Sequence, residues 1–233
     1  MRAAITTKTK LVFIANPNNP TGTRVTNDEL NAFIKSLPEH VICVLDEAYI
    51  EFLDDPPPSV EWAVGSWERH SCRDRSGQES PSHNPKVVVL RTFSKIVGLA
   101  GLRIGYGIAQ KECIALFQRV RQPFNVNSVA QAGALAALSD TGHIRTTKAM
   151  TRRGRAFFEK EFKRLRLEFV PSCTNFVLVN VGNGDKIFSA LQRRGVIVRP
   201  MRAYKMPAWI RVTVGLPEQN RKFIRELKEC LSA

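Results

Sequence analysis

The sequence predicts an α/β fold, a mostly parallel sheet flanked by helices, followed by a small α+β domain. Three observations carry that expectation. The runs Val41-Ile42-Cys43-Val44-Leu45 and Val87-Val88-Val89-Leu90 are apolar without alternation, as strands of a parallel sheet are when both faces are buried. Each run stops at polar residues able to serve a ligand, and open α/β sheets hold their sites at the carboxyl ends of strands. From residue 144 onward the texture changes, with short strands at about 167–170, 176–181, 196–199 and 209–214 alternating with helices at about 185–194 and 217–231. The expected organisation is residues 1–143 as part of a larger domain, with a loop insertion at about 66–85, and residues 144–233 as the small C-terminal domain.

Taken in order, residues 10–15 read as a core strand that stops at Asn16-Pro17-Asn18-Asn19-Pro20-Thr21-Gly22. Two prolines and a glycine leave such a turn few conformations, which suits a side chain that must be aimed. Thr26 followed by Glu29 marks the capping box of a helix over about 27–36. The second strand ends at Asp46-Glu47-Ala48-Tyr49, and a carboxylate there is costly unless it is paired or faces a site. Asp54-Asp55-Pro56-Pro57-Pro58 excludes a helix or inner strand, and the polar stretch 69–84, with His70 and His83, reads as an exposed loop. Trp62 and Trp67 are expected to pack a short helix at about 59–67. Beyond the third strand, residues 104–109 read as a further strand and 111–121 as a helix. Ser128 is the expected cap of an alanine-rich helix over 129–138, and a long basic helix covers about 144–165.

Composition narrows the class. Hydrophobic content of 43% and charged content of 24% are those of a globular domain, and no apolar stretch spans a bilayer. Five scattered cysteines without CxxC spacing argue against a disulfide framework or a zinc site and fit a reducing compartment. No metal site is expected. A formal net charge of +14 invites a nucleic-acid reading, but the basic pairs are dispersed and not interleaved with aromatics, so they read as solvated helix faces.

The chemistry concentrates at the end of the third strand. It delivers Thr92, Ser94 and Lys95 and, eight residues on, Arg103. A lysine confined in a site can lose its proton and form a Schiff base with an aldehyde, and hydroxyls with a guanidinium suit a phosphate. Pyridoxal phosphate is the cofactor that combines the two groups. Taken alone, Ser94-Lys95 is a solvated turn, and Asp46 is as well explained by a helix cap as by an active-site acid. In the last third, Arg199 ends an apolar strand and Arg211 lies within one, where a charge needs a partner.

Seven strings, NPNNPTG (16–22), DEAYIEF (46–52), RTFSKIVGLAGLRIGY (91–106), RQPFNVNSVAQAGALAAL (121–138), TNFVLVNVG (174–182), RRGVIVRPM (193–201) and IRVTVG (210–215), carry a resemblance. The chain resembles the fold-type I pyridoxal-phosphate-dependent aminotransferases of the class I and II group, and within it the histidinol-phosphate aminotransferase family. The resemblance runs from Lys10 nearly to the C-terminus, except for the loop. It implies that Lys95 is the Schiff-base lysine, that Asp46 pairs with the pyridinium nitrogen, and that Asn19 and Tyr49 hydrogen-bond the ring hydroxyl. Thr92, Ser94 and Arg103 would hold the cofactor phosphate. Arg211 would clamp a substrate carboxylate and Arg199 would contact the phosphate end of the substrate.

The implied reaction converts histidinol phosphate and 2-oxoglutarate to imidazole acetol phosphate and glutamate, a step of histidine biosynthesis. It would run in a cytoplasmic homodimer, with no nucleic-acid or membrane partner. The family has a further segment before the first strand, the N-terminal part of its large domain, and that part is not in this sequence. Its strands would therefore be left half covered, so the isolated chain is expected to aggregate and to turn over poorly. Another class I/II amino-acid aminotransferase, for aromatic substrates for example, a phosphothreonine-type decarboxylase of the same fold, and a truncated inactive homologue remain as alternatives.

Overall fold

Four strands build the first sheet in sequence order: β1 (Leu11–Ala15), β2 (Ile42–Asp46), β3 (Lys86–Thr92) and β4 (Gly105–Ile108). In this computed structural model, which describes residues 1–64 and 86–232, β1, β2 and β3 are parallel and β4 runs antiparallel to β3. Parallel neighbours need a crossover. Helix α1 (Asn27–Lys35) lies between β1 and β2 in sequence, and α2 (Ser59–Val64) between β2 and β3. The capping box at the start of α1 forms as expected: Thr26 Oγ1 accepts from the Glu29 amide at 3.2 Å, and Glu29 Oε2 accepts from the Thr26 amide at 2.9 Å.

Strand alternation sorts the sheet into two unlike faces. Cys43, Leu45, Val87 and Val89 pack with Leu30 and Ile34 of α1 and with Trp62 and Ala63 of α2. On the other face Val44 and Val88 are buried, but Leu11, Phe13 and Leu90 are 49%, 64% and 40% exposed. The expectation of a core strand at 10–15 is thus corrected. β1 is an edge strand, pairing with β2 alone, so half of its apolar side chains meet solvent.

Helices α3 (Lys111–Val120) and α4 (Ser128–Ser139) follow. Ser128 does not cap α4; it is the first helical residue. Asn127 takes the capping place, its Oδ1 accepting from the Ala130 amide at 2.8 Å, because a short amide side chain one position earlier reaches the free N–H of the first turn.

By internal contacts the chain divides into two units. The first is Met1–Asn16, Val25–Ile50 and Asp55–Ser139, and the second is Pro17–Arg24, Glu51–Asp54 and Asp140–Ala233. The second unit opens with α5 (Thr141–Arg164), which starts earlier than the sequence suggests because Asp140 accepts from the His143 amide at 2.9 Å. Its sheet comprises β5 (Phe169–Val170), β6 (Phe176–Asn180), β7 (Arg199–Pro200) and β8 (Trp209–Thr213), in the antiparallel order β5-β6-β8-β7.

Helices α6 (Gly184–Arg193) and α7 (Pro217–Ser232) complete this unit. Phe158 and Phe162 of α5, both fully buried, stack with centroids 5.7 Å apart, and Phe223 of α7 meets Phe158 edge-on at 5.5 Å. Val177, Val179, Ile210 and Val212 of the sheet and Leu191 of α6 close the same core. Helix α5 comes so near the end of β8 that a Cβ on Gly154 would lie 2.2 Å from Val214 Cγ1. The loop expected at 66–85, with Trp67, His70 and His83, lies outside the described residues. Among the described residues no helix is long and apolar enough to cross a membrane.

Candidate active site

The carboxyl ends of β2 and β3, hydrogen-bonded neighbours, bring most of the expected residues to one edge of the first sheet. Asp46 ends β2 in register with Ala15 and Leu90. Alternation turns Asp46 toward the incompletely covered face, where it is exposed and accepts from the Ala48 amide at 3.1 Å. Tyr49, 5% exposed, sits under Lys95, whose Nζ lies 5.3 Å from the ring centroid. That contact with the ring face orients the side chain. Among the described residues Lys95 has no carboxylate within ion-pair distance.

The turn after β3 holds Lys95 by anchoring its neighbours. Phe93 and Ile96 are buried, so Ser94 and Lys95 between them stay half-buried and reachable. The Leu99 amide donates to the Phe93 carbonyl at 2.9 Å and the Gly98 amide to the Lys95 carbonyl at 3.0 Å, folding the segment back. Thr92 Oγ1 accepts from the Ser94 amide at 3.0 Å. Arg103 adopts a left-handed conformation, φ 54°, and donates to the Ala100 carbonyl at 2.7 Å. Two hydroxyls, an exposed guanidinium and an amine therefore come from one short segment.

A pair that the sequence reading passed over lies next to this edge. Glu47, 1% exposed, accepts from Arg91 Nε at 2.9 Å, with the Ser59 hydroxyl 3.5 Å from the guanidinium. Burial pushes the Glu47 carboxyl above its ordinary value, opposed by Ser59 and by the Arg91 charge. The signal was present: an acidic dipeptide ends one buried strand and an arginine ends the next, and alternation must send one of the two acids inward.

The remaining residues, Asn19, Arg199 and Arg211, belong to the second unit. Asn19 sits in a turn stapled on both sides: the Gly22 amide donates to the Asn18 carbonyl at 2.8 Å and Asn18 Nδ2 donates to Thr21 Oγ1 at 2.7 Å. Gly22 is required there. Its φ is 77°, and a Cβ would lie 2.3 Å from Ser172 Oγ. Asn19 Oδ1 accepts from Arg211 Nη1. Arg211 also stacks on Phe176, 4.7 Å from the ring centroid, and among the described residues its buried Nε has no hydrogen-bond partner. Arg199 is directly opposite Arg211 in the β7–β8 pairing.

The parallel sheet with its antiparallel edge strand matches fold type I of the pyridoxal-phosphate-dependent transferases, the fold of the solved structures that resemble it. The chain belongs to the class I and II aminotransferases, whose family model matches residues 1–227. It is 50% identical, over 99% of its length, to histidinol-phosphate aminotransferase 1 of Cupriavidus pinatubonensis, and 45% identical, over 98%, to histidinol-phosphate aminotransferase of Akkermansia muciniphila. Each match covers 58% of the relative, so the chain spans well under two thirds of the length of these curated proteins. Among solved structures, histidinol-phosphate aminotransferase from Sinorhizobium meliloti in complex with pyridoxal-5'-phosphate superposes with a TM-score of 0.80 at 29% identity. That match covers 96% of this chain and 57% of the other.

Proposed function

We propose that the chain carries the cofactor and substrate residues of a pyridoxal-phosphate-dependent aminotransferase that acts on histidinol phosphate and 2-oxoglutarate, giving imidazole acetol phosphate and glutamate. The observation that carries this reading is Lys95, half-buried over Tyr49, with no carboxylate within ion-pair distance among the described residues, beside Thr92, Ser94 and Arg103. The donor set fits the cofactor: an amine that can condense with the aldehyde, hydroxyls and a guanidinium for the phosphate, and a carboxylate on the neighbouring strand end. Bound there, pyridoxal phosphate supplies an electron sink for the charge left when a substrate Cα loses its proton.

The chain's own residues do the rest. Asp46 would keep a proton on the ring nitrogen. Tyr49 and Asn19 would hold the ring hydroxyl, and Thr92, Ser94 and Arg103 would hold the phosphate. Lys95 Nζ would take the proton from the substrate Cα as general base. Arg211, oriented by Asn19 and Phe176, clamps the carboxylate of 2-oxoglutarate, and Arg199 meets the phosphate of the amino substrate. In this reading the first unit acts as part of the cofactor domain and the second as the small domain, with the boundary near residue 143. The names of the similar proteins support a place in histidine biosynthesis. A cytoplasmic homodimer is the state proposed for the whole enzyme.

Borohydride reduction after addition of pyridoxal phosphate, followed by peptide mapping, tests the reading. The label is expected on Lys95, with loss of the absorbance band in Lys95→Ala. A label spread over surface lysines overturns it. The exposed Leu11 and Phe13 favour a second reading, a chain that binds the cofactor without turnover. A coupled glutamate assay on the labelled protein separates the two.

A further inference from the structure

A cavity of about 780 Å³ opens wholly within the second unit, and three of its lining residues are arginines: Arg199, Arg202 and Arg211. Among the described residues no acidic residue lines it. Arg199 and Arg211 are direct cross-strand partners, an arrangement in which like charges destabilise the pair unless an anion lies between them. Arg211 adds a second sign of a ligand, since among the described residues its Nε is buried without a partner.

Arg202 stands apart from this pair. It follows β7 in a single 3-10 turn, Arg202–Tyr204, and its side chain is 69% exposed. Its Nε is bound to Asp185, in the first turn of α6. Among the described residues the two terminal nitrogens of the guanidinium have no further partner. Asp185 thus fixes one edge of the guanidinium and leaves the other edge free at the cavity wall. A carboxylate, with one charge on two oxygens, is matched by Arg211 with Asn19. A phosphate monoester brings a second charge and a third oxygen, which a further planar donor can take.

We infer that Arg202 is a specificity-determining residue of this cavity, latched by Asp185 so that its free edge selects ligands ending in a phosphate monoester over those ending in a carboxylate. This rests on the aminotransferase reading for the identity of the substrate, but the binding preference can be measured without turnover.

Calorimetric titration of the full chain with phenyl phosphate and with benzoate tests it. The parent is expected to bind phenyl phosphate more tightly. Arg202→Gln should weaken phenyl phosphate about tenfold, the scale of one charged hydrogen-bonding group, and change benzoate less than about twofold. Asp185→Asn should weaken phenyl phosphate by a smaller factor, because the guanidinium remains but is no longer held. Arg194→Gln removes a charge elsewhere in the unit, where Arg194 pairs with Glu226, and should leave both ligands unchanged. Equal losses for Arg202→Gln and Arg194→Gln, or phenyl phosphate bound by Arg202→Gln as by the parent, overturn the inference. The two proposals fail separately. Lys95 labelling with no Arg202 effect sinks only this one, whereas an Arg202 effect with no Lys95 label sustains this one and sinks the cofactor reading.

Discussion

The two sheets of this chain are finished to different degrees. In the second unit, three helices and an antiparallel sheet share one core in which Phe158, Phe162, Val177, Val179, Leu191 and Ile210 are fully buried. In the first unit, α1 and α2 close one face with comparable density around Cys43 and Val89, while Leu11, Phe13 and Leu90 stand in solvent on the other. The sequence is equally apolar in both places. What differs is whether a second layer lies over the strand, and a parallel strand asks for two such layers. The exposed apolar side chains stand on the same face as Asp46, so incomplete covering and candidate chemistry occur together.

Substitution at matched aromatic positions gives the largest expected contrast. Phe162→Ala, in the closed core, should cost about 4 kcal/mol in urea titration, from lost transfer energy plus a cavity. Phe13→Ser, on the open face, should leave stability nearly unchanged while lowering binding of an apolar dye and aggregation on size-exclusion. Equal destabilisation by the two would show that the face around Phe13 is not open.

The buried charge of the first unit comes next. Glu47→Ala leaves Arg91 without its partner in a largely buried setting and should cost about 3 kcal/mol. In the second unit Arg194→Ala breaks an exposed pair and should stay within about 0.5 kcal/mol. Thermal melts of both variants check the difference. Gly154→Ala should then cost about 2 kcal/mol, because the new methyl collides with Val214 at the end of β8. Thr26→Ala should cost less again, about 1 kcal/mol for the lost cap of α1, confined to amide exchange in the first unit.

Much of this was legible in the sequence, for identifiable reasons. The strands ending at Asp46 and Thr92 were visible because short unbroken apolar runs have few other uses, and the cap at Thr26 because its partner lies three residues on. Lys95 stood out by its position after such a run. Less legible were features set by a neighbour's presence. Nothing local to residues 11–15 tells an edge strand from an inner one. Asn127 and Ser128 are both good caps, and only the backbone decides which precedes the helix. The inward turn of Glu47 rather than Asp46 depends on register, since a shift of one residue would exchange them. Arg202 carried no signal at all until the cavity placed it beside Arg199 and Arg211.

The parallel pairing of β1 with β2 and of β2 with β3 also bears on the time course of folding. Leu11 finds Ile42 only after all of α1 has been laid down, and Ile42 finds Lys86 only across a still longer span, whereas Phe169 meets Val179 across one short reversal. Loop closure must precede the contacts that reward it, so pairings of high sequence separation form late. The second unit begins with the long local helix α5 and a nearby reversal, and it should acquire protected amides first. The edge with Asp46 and Lys95 would then be the last part of the chain to take shape. A refolding experiment that samples amide protection over time would see the segment around Lys95 become protected only after the rest of the molecule has already settled.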